Sequence, residues 1–351
     1  MPPARKRLLA AFGAVALVAA GLWWVSDREP RMPSDPLAAV PDGATAVGWL
    51  DVGAVRGSPL WSKLVTDRGG EKGIDRIESQ CGFDPLDQLR DLVVFVNGES
   101  PRSLEHVGFV GRGELDRSAL SDCVRKVVGK EGGSVERVDI DGVPAIAGGK
   151  GSSRAAFVAR DGVAVGSEQT VRGVLGVVRD DAASMSTDAT LRRLWKHVAG
   201  GREVVVVAHV PERWRHALQR YVDERLGGSL GPLEAFGLGA RVSDGLGLGV
   251  SLEMGSANHA KALVSALRRT VEHALDDPLL SLSAAGSALR AIETDVSGSE
   301  AVITVDLREG QVEELVELVQ DRLARKDAPA GHDADKAPAP APDEVVRRTP
   351  E

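Results

Sequence analysis

Gly148-Gly149-Lys150-Gly151-Ser152 is the stretch that comes nearest to a phosphate loop. Such a loop cradles phosphates with backbone N–H groups, a Lys and a Ser or Thr, at a strand-to-helix turn. Here Pro144 stands where the first Gly is needed, and Gly151 where the Ser or Thr is needed. The flanking residues read as strands, so a hairpin connection is expected. Asp139-Ile140-Asp141-Gly142 has the acidic spacing of a calcium loop, but Arg137 occupies the first ligand position and no Glu closes the set. A turn is expected there too.

The seven His residues form no His-Glu-x-x-His pair. His209 and His216 straddle a strand-to-helix junction; His106 opens a strand; His197, His259 and His273 fall on polar helix faces. All read as solvated or half-buried side chains. Ser152 and Ser153 lack the Gly-x-Ser-x-Gly elbow that exposes a nucleophile. Asp84 reads as a helix cap, and Asp87 and Asp91 as turn residues. Trp61, Trp195 and Trp214 lie on apolar helix faces and are expected in the core. Gly245 to Val250 alternates Gly with apolar residues, which suits close helix-on-sheet packing or the approach of a partner's backbone. No stretch implies a cofactor or a metal. Two catalytic carboxylates distant in sequence would escape this reading.

Cys81 and Cys123 are the only cysteines. Both fall on the apolar faces or ends of helices in the first half, so both can point into one core. They are expected to form a disulfide if the compartment is oxidising.

The compartment is read from the start of the chain. Arg5, Lys6 and Arg7 precede Leu8 to Val25, an apolar run long enough, at about eighteen residues, to cross a bilayer as a helix. Positive charge stays on the cytoplasmic side, and Trp23 and Trp24 fall where an outer aromatic belt would sit. The expectation is a single-pass protein of the bacterial inner membrane, N-terminus cytoplasmic and the bulk periplasmic or extracellular. Val18-Ala19-Ala20 offers a signal-peptide cleavage site, but the apolar run continues past it, which favours retention.

The 351 residues are 43 % hydrophobic, enough for a globular core. Aromatics are 4 % and the net charge is −8 with dispersed Lys and Arg, which argues against nucleic acid as a partner.

The elements that follow suggest an order. Residues 26–42, with four prolines among charges, read as an extended stalk. Residues 43–180 and 203–325 each read as strand, helix, two strands, helix, hairpin, helix, joined by a connecting helix within 181–202. The first half carries an extra hairpin at Val135 to Ala147. Hairpins turn at Asp141-Gly142 and Asp161-Gly162, where Asp-Gly supplies positive φ, and at Ser297-Gly298. Residues 326–351, rich in Ala and Pro, read as a disordered tail. The expected fold is α+β: two tandem repeats, mostly antiparallel sheets with helices on one face.

The segments Leu50-Asp51-Val52…Ser58-Pro59-Leu60-Trp61, Gly82-Phe83-Asp84-Pro85 with Asp91-Leu92-Val93-Val94, and Val165-Gly166-Ser167-Glu168 carry a resemblance. The chain resembles uncharacterised bacterial envelope proteins that are membrane-tethered or secreted and contain tandem α+β units. That resemblance implies location and fold and brings no catalytic residues. The leading expectation is a non-catalytic envelope protein whose duplicated domain binds another protein or an envelope component. The alternatives are an extracytoplasmic hydrolase with dispersed catalytic residues and a structural spacer.

Overall fold

The computed structural model describes residues 30–61, 71–98, 106–130, 132–148, 153–226 and 231–314. The expected anchor (Arg5, Lys6, Arg7, Trp23, Trp24), most of the expected last helix and the tail lie outside these residues. Among the described residues no helix is long and apolar enough to cross a membrane.

The fold is mixed α+β, built on one twelve-stranded antiparallel sheet. In chain order the elements are β1 (Ala44–Asp51), α1 (Val52–Arg56), α2 (Pro59–Trp61), α3 (Glu71–Cys81), β2 (Leu89–Asn97), β3 (Val107–Gly113) and α4 (Arg117–Lys130). Then follow β4 (Val135–Ile140), β5 (Val143–Gly148), β6 (Ser153–Ala159), β7 (Gly162–Ser167), α5 (Glu168–Val178) and α6 (Ala189–Val198). The rest are β8 (Val204–His209), α7 (Glu212–Leu226), β9 (Leu233–Arg241), β10 (Leu246–Met254), α8 (Ala257–Leu275), α9 (Pro278–Ser281), α10 (Ala284–Arg290), β11 (Ile292–Ser297) and β12 (Glu300–Leu307).

Local chemistry explains most boundaries. Asp84, Ser167, Asp188 and Ser256 each accept a hydrogen bond from a backbone N–H two or three residues on, opening a helical turn. Gly82, at φ +81°, stops α3. Asp141 and Gly142, at φ +52° and +82°, make the β4–β5 turn.

The sheet runs β11-β12-β10-β9-β8-β1-β2-β3-β7-β6-β5-β4. β1 and β8 meet at its middle, with Val47 opposite Val207. That single seam makes one sheet where separate ones were expected. Outward from it, β1-β2-β3-β7-β6 on one side and β8-β9-β10-β12-β11 on the other have the same order of strands within each half.

The expectation of helices on one face is corrected: helices cover both. On the first face, Val47, Val93, Phe95, Val110, Val205 and Val207 are fully buried under Val174 and Leu175 of α5 and Leu191 and Leu194 of α6. Burying a side chain of this kind contributes about 1.5–3 kcal/mol. On the second face, Leu263 and Val264 of α8 pack with Ala301, Leu252 and Val296 of the β10–β12 end. Both faces need cover because β2 reads Leu92-Val93-Val94-Phe95-Val96, apolar on both parities.

The stalk expectation is corrected for residues 30–42. Leu37, Ala39 and Val40 are buried in the first-face core. Met32 N donates to Asp161 Oδ1 at 2.9 Å, and Arg160 N to the Pro30 carbonyl at 3.1 Å. The β6–β7 turn shows no positive φ at Asp161 or Gly162. Gly162 is required there for another reason: a Cβ would lie 2.2 Å from Cγ of Met32.

Candidate functional site

Two sets of side chains stand out. The first is polar and lies on the first face. α6 crosses the sheet so that Arg193 donates to Glu300 and, at 2.7 Å, to Glu253. His197 Nδ1 lies 2.5 Å from Glu300 Oε2, and Ser251 Oγ donates to the same oxygen at 2.8 Å. Burial pushes the Glu300 carboxyl up, but the hydrogen bonds from Arg193, Ser251 and His197 outweigh it and hold it below the usual range. Arg193 is raised by its bonds to Glu253 and Glu300. Asp188 is lowered in the same way: hydrogen bonds from His209 and the Leu191 N–H overcome its burial. Asp116 is lowered by the Ala119 N–H, the Ser118 hydroxyl and the Ser118 N–H, as a cap at the head of α4.

Ser251 is wholly buried and Glu300 nearly so, and neither they nor Arg193 nor His197 lines any of the four described cavities. Ser251 also reaches Glu300 and not His197. These bonds tether α6 to β10 and β12, the far strands of the second half. The same helix lies on a bed of glycines. A Cβ on Gly239 would come 2.0 Å from the Val198 carbonyl, and one on Gly249 2.4 Å from the Arg202 guanidinium. The end of α6 thus lies on the glycine face of β9, and the Arg202 side chain beyond it covers Gly249 of β10.

The second set is the other sheet face. One register row crosses all twelve strands. It starts with Arg137 opposite Ile146 and passes through Ala155, Val165, Phe109 and Val94 to Gly48. It continues through Val206, Leu238, Val250 and Ile303 to Thr294. Every residue between the ends is apolar or Gly. At the middle the row stays open: Phe109 is 37 % exposed and Leu238 38 %, with Val94 and Val206 half-buried between them and Val250 half-buried beyond Leu238. The first-face neighbours Val93, Val110, Val205 and Val207 are fully buried.

At the β4 end the row runs under α4 into a groove of about 450 Å³. Ile146, Ala155 and Phe157 form its floor; Arg117, Arg125 and Arg137 form its rim. The Arg117 guanidinium stands 5.5 Å from the Phe157 ring centroid and donates to the Ala159 carbonyl at 3.0 Å. Arg125 pairs with Asp122 beside it in the helix. Arg137 has no ion-pair partner among the described residues.

The sequence-derived residues are placed as follows. Cys81 at the end of α3 and Cys123 in α4 are joined sulfur to sulfur, Cα atoms 4.7 Å apart. Among the described residues no three His, Cys, Asp or Glu side chains converge as a metal site would. Asp139 Oδ1 accepts from Gly142 N at 2.8 Å, a turn. The Gly148–Ser152 stretch joins β5 to β6, paired at Ala147 and Arg154, and residues 149–152 lie outside the description. Asp91, read as a turn residue, is corrected: it lies in β2, buried beside Arg112, because the strand starts at Leu89. Trp214 is corrected as well; it is 48 % exposed on α7. His197, read as solvated or half-buried, is partly exposed and also bonds to Glu300. The open row and the arginine rim were missed. The apolar runs at Leu92–Val96 and Val204–Ala208 were the available signal for a second apolar face.

No family model matches the chain, and no curated protein matches it. Two solved structures of TP0453, crystal forms I and III, superpose with TM-scores of 0.44 and 0.47. Each is 14 % identical over 82 % of this chain, covering 98 % and 99 % of the TP0453 chains. So loose a likeness carries no argument about this chain.

Proposed function

We propose that this is a non-catalytic, single-pass envelope protein whose duplicated α+β domain binds an apolar envelope component on the open face of its sheet. The observation that carries the binding reading is the row from Ile146 to Ile303, apolar throughout and half-exposed at Phe109 and Leu238. A sheet face of this extent left partly open in water favours an apolar occupant. The basic flank Arg5-Lys6-Arg7 and the apolar run to Val25 support an inner-membrane anchor with the domain outside. The duplication is supported by the matching strand orders of the two halves and by α4 and α8, each following the third strand of its half.

The test places p-benzoylphenylalanine at Leu238 or Phe109 in the full chain, irradiates growing cells and weighs the adduct. A lipid-sized adduct at both positions, and none at the exposed Leu282, is the expected result. A protein-sized adduct, or none, overturns the reading. A reporter fused after Lys326 tests location separately: activity inside the cytoplasm would overturn the anchor.

A further inference from the structure

We infer that the groove between α4 and strands β4–β6 is the head-group site for an anionic amphiphile, a molecule with one carboxylate or phosphate head and an apolar tail. The site is defined by side chains of two kinds in one enclosure. Its floor is apolar: Ile146, Ala155 and Phe157, on neighbouring strands. Its rim has three guanidinium groups from two elements, Arg117 and Arg125 on α4 and Arg137 on β4. Among the described residues, none that lines the groove carries a carboxylate, although the chain as a whole bears a net charge of −8. A cluster of like charges against that background attracts an anion. The guanidinium fork matches the oxygens of a carboxylate or phosphate. The groove's volume of about 450 Å³ lies within the range of small-molecule sites, roughly 300–1,000 Å³.

The three arginines differ in what they can give. Arg117 is held over Phe157 and bonded to the Ala159 carbonyl, so it shapes the wall. Arg125 shares its charge with Asp122. Arg137 meets no acid among the described residues and projects from the row that floors the groove. A head held by Arg125 and Arg137 leaves the tail one continuous apolar track, through Ala155 and Val165 to Phe109. The direction of the tail rests on the open-face reading proposed above; the head site does not.

The experiment uses the full chain in native membranes and three photoactivatable long-chain probes with the same tail. One ends in a carboxylate, one in a phosphate monoester and one in a neutral alcohol. Labelled peptides are mapped by mass spectrometry. One or both acids should label the peptides that hold Ile146, Ala155 or Phe157, and the alcohol about tenfold less, the equivalent of one charge-assisted contact. The stronger of the two acids identifies the head. The double variant Arg125→Ala/Arg137→Ala changes two exposed side chains and should lower acid labelling in the groove to the alcohol's level, with labelling near Phe109 and Leu238 unchanged. Equal labelling by acids and alcohol, or no effect of the double variant, overturns the inference. Labelling confined to Phe109 and Leu238 also overturns it while leaving the open-face reading standing.

Discussion

Arg112 in β3 and Asp91 in β2 face each other across the sheet, both almost wholly buried, and the Arg112 guanidinium also donates to the Pro33 and Ser34 carbonyls. One side chain thus neutralises a buried carboxylate and fastens the segment before β1. Among the described residues, Arg112→Met would leave the buried Asp91 with Arg90, itself 63 % exposed, as its charged partner. The expected loss is about 3–5 kcal/mol, read from the urea midpoint. Residues 30–36 should also become open to limited proteolysis. Replacing both partners, Arg112→Met with Asp91→Leu, should recover most of the stability. An unchanged midpoint for the single variant would refute the pairing's role.

The Glu300 tether gives a pH dependence with a definite sign. Its folded pKa lies below the unfolded value, so the native state binds its proton less readily. The stability it contributes is present above the ordinary glutamate value, about 4.3, and is lost as pH falls through the lower folded value. Thermal midpoints of wild type and Glu300→Gln should differ at pH 7 and converge as the pH drops below about 4. A gap that stays constant down to acid would show that the carboxylate charge is not what holds α6.

The Cys81–Cys123 bond closes a loop spanning 42 residues. In the chain-entropy account such a loop stabilises by about 4 kcal/mol. The unfolded, unreduced protein taken from its own compartment should show no titratable thiol, and Cys81→Ala/Cys123→Ala should unfold at correspondingly lower urea. Two free thiols would remove the bond from the native molecule.

The glycine bed under α6 predicts a contrast between two neighbours. Gly239→Ala sets a methyl 2.0 Å from the Val198 carbonyl and should cost about 1–3 kcal/mol through overpacking. Gly200→Ala, with nothing within 4 Å of its Cβ, should stay within about 0.5 kcal/mol of wild type. Equal midpoints would mean that α6 does not press on the sheet as described.

What was legible in the sequence was local. Asp84 caps the turn it precedes because a cap bonds to a backbone N–H two or three residues away. Asp141-Gly142 turns its hairpin through its own φ angles. The mixed α+β character and the antiparallel strands followed, although α9 and α10 were not read, and so did the pairing of Cys81 with Cys123, the only partners available.

Tertiary structure decided whatever depends on partners far along the chain. Asp91 looked like a turn residue until β3 set Arg112 opposite it. Gly162 looked like a turn glycine, and it is small because Met32 lies against it. The β1–β8 seam joins segments more than 150 residues apart (Ala46 opposite Ala208), and it alone turns two half-sheets into one apolar row. Arg125 and Arg137 form a rim because α4 packs over that row. Periodicity gives each strand its two faces, but the register between strands is set only when those faces are buried together.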